Sequence, residues 1–308
     1  MTESRDIILC PGQGAQAVSM GKAWVESSAA ARAVFDEADQ VLGDELGERL
    51  SQYCFEGPGE RLTQTDVSQP AIYACSVASY QGLLESDAIG DITSAAGLSL
   101  GEYTALHLAG AFSFADGLRL VALRGKVMQE ACDEHPSSMV VLIGADETQA
   151  AEVCEKAAQG QVLVPANFNA PGQIVLSGNT EACERAGQVA SELGVKSTKL
   201  TVAGAFHSPL MESAAQKMKE ALAEINFQPL KIPVWSNVTA QPHDSENSEL
   251  LRQRLVEQIV SPVKWAQTCQ GLVSESGFSY HELAPGTVLR GLMRRIDRTT
   301  KVISHDEP

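Results

Sequence analysis

Apolar runs of strand length alternate with helix-periodic stretches from the first residues onward. Asp6 to Cys10 reads as a strand, Ala29 to Leu42 and Gln69 to Leu84 as helices, and Ile92 to Ala96 as a second buried strand. Glu102 to Ala109 and Phe114 to Ala131 are again helical. Such alternation predicts an α/β layer fold around a mostly parallel sheet. The middle of the chain has a different rhythm. Met139 to Ile143, Val162 to Ala166, Gln173 to Ser177 and Ser197 to Thr201 read as strands, with helices at Glu147 to Ala158 and Thr180 to Leu193. That order, β-α-β-β-α-β, is ferredoxin-like. It predicts a small domain at 133–203 inserted into a large α/β domain made of 1–132 and 204–308. The pattern then resumes with a helix at Pro209 to Ile225, a strand at Ile232 to Ser236, a helix at Glu249 to Val260, a strand at Ser279 to Leu283 and a helix at Val288 to Ile296. Clefts between domains are frequent ligand sites.

Composition narrows the class. With 308 residues and 44% hydrophobic content the chain can bury a sizeable core. A formal charge of -16, spread along the sequence, argues against nucleic-acid binding, so any anionic ligand must be met locally. No basic stretch followed by an apolar segment opens the chain, and no apolar run is long enough to span a bilayer; the expectation is a cytoplasmic protein without membrane contact. The seven cysteines are odd in number, widely spaced and free of C-x-x-C pairs, which favours reduced thiols over disulfides or zinc.

Candidate chemistry starts at Gly97-Leu98-Ser99-Leu100-Gly101, a G-x-S-x-G between a strand and a helix. In a nucleophile elbow of this form the serine stands exposed on a sharp turn, with helix N–H groups beside it. A glycine-rich structural turn would read the same way. The loop Pro11-Gly12-Gln13-Gly14 follows the first strand and could supply a second oxyanion donor or serve as a plain turn. Of six histidines, His207 stands out, because Ser208 can cap and Pro209 open the helix that follows it. His107, two turns into the helix after Ser99, should point along that helix. Arg124 lies on the Phe114 to Ala131 helix. It is either a solvated charge or a planar fork for a carboxylate.

Six stretches in order, G-Q-G-A-Q (12–16), G-L-S-L-G-E (97–102), R-G-K-V-M-Q (124–129), N-F-N-A-P-G-Q (167–173), G-A-F-H-S (204–208) and P-V-K-W (262–265), make almost the whole chain resemble the malonyl-CoA:acyl carrier protein transacylases of bacterial type II fatty acid synthesis. The resemblance implies an α/β-hydrolase-like large domain with a ferredoxin-like insertion. It implies Ser99 as the acylated nucleophile, His207 as its base and acid, and the amides of Gln13 and Leu100 as oxyanion donors. Arg124 would hold the malonyl carboxylate, and Gln258 would orient the histidine through a carbonyl oxygen. Asn167 and Phe206 would contact substrate, Phe206 narrowing the space beside the acyl α-carbon. The implied reaction is ping-pong acyl transfer, with malonyl-CoA and phosphopantetheinyl carrier protein as substrates, no cofactor or metal, and a monomeric enzyme. The acidic carrier would need a basic patch, and Lys196, Lys199, Arg290, Arg294 and Arg295 are the candidates. One departure is Leu98, where the family usually carries histidine; altered packing or substrate contacts are expected there, not lost activity.

Overall fold

The computed structural model describes residues 5–274 and 277–308. Its larger sheet contains β1 (Arg5–Cys10), β2 (Asp91–Gly97), β7 (Val234–Trp235), β8 (Ser279–Leu283) and β9 (Val302–His305), in the order β7-β2-β1-β8-β9. Every pairing in it is parallel. Alternate residues of β1 enter opposite cores, Ile8 and Cys10 one, Ile7 and Leu9 the other. Both faces of the sheet are therefore covered, as a parallel sheet requires. The carboxyl ends of β1 and β2 point to one edge, where ligands bind in folds of this kind.

The second sheet contains β3 (Ser137–Ile143), β4 (Leu163–Ala170), β5 (Gln173–Asn179) and β6 (Lys196–Lys199), antiparallel in the order β4-β5-β3-β6. Helices Glu147–Ala158 and Thr180–Glu192 cover one face, burying Val140, Leu142, Ile174 and Leu176 among their alanines. The opposite positions Met139, Val141 and Val175 join the core of the large sheet. Period-two alternation thus gives the small sheet one face for its own helices and one for the main core, and makes it one wall of the cleft. Val263 ties β4 to the segment before helix Trp265–Leu272: its N–H donates to the Ala166 carbonyl at 2.9 Å and its carbonyl accepts from Phe168 at 2.9 Å.

The expected α/β fold with a parallel and a ferredoxin-like sheet is present; several boundaries differ. The helix expected from Gln69 begins at Thr65 and runs through Pro70 to Glu85, its first turn held by the Arg61–Asp66 pair at 2.6 Å. The expected strand Ile232 to Ser236 shrinks to two residues, since Pro233 has no N–H to donate and offers only its carbonyl, to Ala95 N at 2.9 Å. The helix expected from Pro209 opens as a 3₁₀ turn, Pro209–Met211, before Glu212–Ala223. Short helices at Lys22–Ser27, Leu50–Glu56, Gly59–Thr63 and Trp265–Leu272, and the edge strand β9, were not anticipated. No helix among the described residues is long and apolar enough to cross a membrane.

Candidate active site

Ser99 occupies the turn between β2 and helix Leu100–Leu108 with φ 52°, a left-handed conformation unusual for a side-chain-bearing residue. The flanking glycines are sterically required. A Cβ on Gly97 would overlap the Gly101 carbonyl, and one on Gly101 would overlap the Cys10 carbonyl of β1. The turn is strapped from outside by Asn237, whose Oδ1 accepts the Ser99 N–H at 2.6 Å while its Nδ2 donates to the Gly97 carbonyl at 2.7 Å.

The loop after β1 lies directly on this turn, because Leu98 N donates to the Cys10 carbonyl at 3.1 Å and a Cβ on Gly12 would overlap the Leu98 carbonyl. Gln13 follows, lining the same cavity as Ser99, with its side chain on Thr65 Oγ1 at 3.3 Å. Leu100 is the first residue of its helix, where main-chain N–H groups have no intrahelical acceptor.

His207, also left-handed at φ 56°, places Nε2 2.8 Å from Ser99 Oγ. Its Nδ1 is 2.8 Å from the main-chain carbonyl of Gln258 in helix Ser248–Val260. A carbonyl only accepts, so Nδ1 carries the hydrogen and Nε2 presents its lone pair to the serine hydroxyl. Ser208 fixes the loop by donating to the Ala205 carbonyl at 2.7 Å and capping Leu210 N at 3.3 Å. Burial, and then the neighbouring Arg124 cation, push the His207 pKa down to about 4, so the ring is neutral at pH 7.

Arg124 is 1% exposed. Its Nη1 donates to Gln69 Oε1 at 2.8 Å, and Nη2 donates to both Ser99 Oγ at 3.0 Å and Gln258 Oε1 at 2.9 Å. The guanidinium carbon stands 5.5 Å from the centre of the Tyr103 ring, and Nε has no hydrogen-bond partner among the described residues. The solvated-charge reading of Arg124 is thereby excluded. A buried cation with an unused donor, touching a serine hydroxyl, is equipped to receive a small anion at that hydroxyl.

These groups open on a cavity of about 440 Å³ between the sheets, lined on the small-sheet side by Met139, Asn167, Asn169 and Val175. Phe206 and Leu98 also line it, Phe206 almost fully buried. His107 lies apart, its Nδ1 3.1 Å from the Phe112 carbonyl and its ring among Tyr73, Phe112 and Phe114. All seven cysteines are buried and free.

The structure brings Ser99, His207, Arg124, Gln258, Gln13, Leu100, Asn167 and Phe206 to one place. Sequence reasoning missed Gln69, Asn237 and the structural use of Glu102. Gln69 and Asn237 carry no spacing signal. Glu102 stands inside the elbow motif, where a carboxylate in the first turn of a mostly apolar helix is the one clue.

The acyl transferase domain family matches residues 7–298. The chain belongs to this acyl transferase family. Within it, the chain falls with the malonyl CoA-acyl carrier protein transacylases, being 39% identical over 307 residues to that of Bacillus subtilis, which covers 99% of this chain and 94% of the relative. The crystal structure of malonyl-CoA:acyl carrier protein transacylase from Xanthomonas oryzae superposes with a TM-score of 0.93 at 40% identity, covering 100% of this chain and 96% of that one. A malonyl-transacylase solved in complex with its type II polyketide synthase acyl-carrier protein gives 0.93 at 36% identity, with 99% and 97% covered.

Proposed function

We propose that this chain is an [acyl-carrier-protein] S-malonyltransferase whose reaction runs through a malonyl ester on Ser99. The observation that carries the site assignment is the meeting of two groups on one hydroxyl: His207 Nε2 at 2.8 Å and Arg124 Nη2 at 3.0 Å from Ser99 Oγ. An esterase needs the first contact and has no use for a buried guanidinium.

In the first half-reaction Ser99 Oγ attacks the thioester carbonyl of malonyl-CoA and gives its proton to His207 Nε2. The oxyanion is received by the Gln13 and Leu100 amides. Collapse breaks the C–S bond, and the CoA sulfur takes the proton from His207. In the second half the phosphopantetheine thiol gives its proton to His207 and attacks the ester, and Ser99 recovers the proton as it leaves. Arg124 keeps the malonyl carboxylate paired throughout, Phe206 bounds the acyl α-carbon, and Asn167 faces the pantetheine arm from β4. Gln258 orients His207 by its main-chain carbonyl. A neutral orienter leaves no carboxylate beside the malonyl group to repel it.

Residues 133–203 serve as an inserted domain forming one cleft wall. The acidic carrier docks on exposed basic residues near it: Arg290, Arg294 and Arg295 on helix Val288–Ile296, which packs on β4, and Lys196 and Lys199 on β6. The test is mass spectrometry of the protein after mixing with malonyl-CoA. A malonyl adduct on Ser99, discharged by carrier protein and only slowly by water, supports the reading. Absence of the adduct, or its persistence in Ser99→Ala, refutes it.

A further inference from the structure

Glu102 is fully buried, one turn beyond the nucleophile, and does not line the cavity. Its Oε2 accepts from the main-chain N–H of Asn237 at 3.0 Å and from Gln258 Nε2 at 2.7 Å. Its Oε1 faces His243 Nε2 at 2.7 Å. Each of the first two partners holds one member of the reacting pair. Asn237 grips the Ser99 N–H at 2.6 Å. Gln258 holds His207 at 2.8 Å through its carbonyl and donates from Nε2 to the Ser99 carbonyl at 3.0 Å.

The Gln258 amide also lies between opposite charges. Its oxygen accepts from Arg124 at 2.9 Å and its nitrogen donates to Glu102 at 2.7 Å. Turning the amide over would set nitrogen against guanidinium and oxygen against carboxylate, so the two charges lock its orientation.

We infer that Glu102 is a positioning residue for acyl transfer, a carboxylate set back behind Gln258 that locks the Ser99 and His207 loops together. This rests on the Ser99–His207 reading above. A triad acid in contact with imidazole would also sit close to the substrate's carboxylate. Moving it one residue back keeps the positioning while Arg124, and not the acid, lines the cavity.

The test is Glu102→Gln, which preserves shape. Its amide oxygen can still accept from Asn237 and Gln258, and its NH₂ can face His243 Nε2 as acceptor. Circular dichroism and Tm establish folding, and adduct formation is followed with malonyl-CoA. The expected result is kcat for malonyl loading lowered about tenfold to a hundredfold, the scale of a small misplacement of reacting groups. KM for malonyl-CoA should be unchanged or lower, because no substrate contact is lost and Arg124 is less neutralised. Gln258→Met, which cuts the link from the other side and keeps the carbonyl, should give the same split, and the double variant should be no worse than the poorer single. Wild-type kcat in E102Q, KM rising in step with the fall in kcat, or losses that multiply would each overturn the inference. Should E102Q fail to fold, Q258M alone decides by the same two constants. A wild-type protein that forms no adduct on Ser99 refutes the dyad instead, so the two failures are distinguishable.

Discussion

Replacing Arg124 gives the sharpest measure of what the cavity selects. The guanidinium is 1% exposed, with three hydrogen bonds to Gln69, Ser99 and Gln258 and an unused Nε. A malonyl carboxylate that leaves water beside Ser99 must recover its hydration from this fork. Removing one partner of a buried charge pair costs about 2 to 5 kcal/mol, so Arg124→Met should lower the rate of malonyl-enzyme formation about thirtyfold to several thousandfold. Acetyl-CoA carries no carboxylate to leave unpaired. Its acylation rate should fall far less, and the serine, freed of the Nη2 contact, still points its hydroxyl at His207. Arg124→Lys keeps a charge without the parallel donors and should recover only a small part of the malonyl rate. The substitution also leaves the Gln69 and Gln258 side-chain oxygens without a donor, at about 1–3 kcal/mol of stability each, so Tm must be recorded beside the rates. The assay is single-turnover acylation of the three proteins by labelled malonyl-CoA and acetyl-CoA, read as a ratio. A constant ratio would remove Arg124 from acyl recognition and leave a generic serine hydrolase in its place.

The remaining expectations concern pH, size and charge. With the His207 pKa held down to about 4 against an ordinary 6.5, acylation should keep its rate on acidification well below pH 6.5; a limb midpoint near 6.5 would contradict the buried neutral ring. The same depression means the folded state takes up fewer protons than the unfolded one between those values. The His207 contribution to stability is therefore complete above pH 6.5 and lost as pH falls toward 4, which a Tm series will register. Phe206→Ser should relax discrimination against methylmalonyl-CoA by about ten- to two-hundredfold, the worth of one disfavoured methyl, measured as a ratio of kcat/KM values. Reversing Arg290, Arg294 and Arg295 to Glu should raise KM for carrier protein and leave KM for malonyl-CoA unchanged; equal change in both would place the docking surface elsewhere.

Strands and helices with strong periodicity were legible in the sequence to within a few residues: Ala29–Leu42, Glu147–Ala158, Ser279–Leu283 and Val288–Ile296 agree at both ends. Elements that failed were short or lacked a face of their own. β9 is a four-residue strand after a polar stretch, visible only from its pairing with β8, and β7 owes its two residues to Pro233. At the site, Ser99 was legible because the elbow is a local steric problem with a local solution in two glycines. Arg124 was ambiguous from spacing, since neighbouring Arg119 on the same helix is exposed whereas Arg124 is buried, and the distinction arises from what packs on each side. Asn237 was invisible because its role is long-range: it meets Ser99 across 138 residues of chain.

The junction at Val263 also gives the molecule a mechanical continuity. From β4 the hydrogen bonds pass through Phe168 and Val263, and from the adjoining Lys264, whose N–H donates to the Asn237 carbonyl at 2.9 Å, to the side chain that grips Ser99. Four stretches far apart in sequence are thus fastened in series, and none can open without loosening the next. Amides of Phe168, Val263, Lys264 and Ser99 should exchange with solvent deuterium as one cooperative unit, slowly and together, while the hydrogen-bonded amides in the exposed outer turns of the small-sheet helices exchange faster. Pressure of a ligand on the β4 wall would then be felt at the nucleophile as a change in that shared opening rate, without any side chain changing its rotamer.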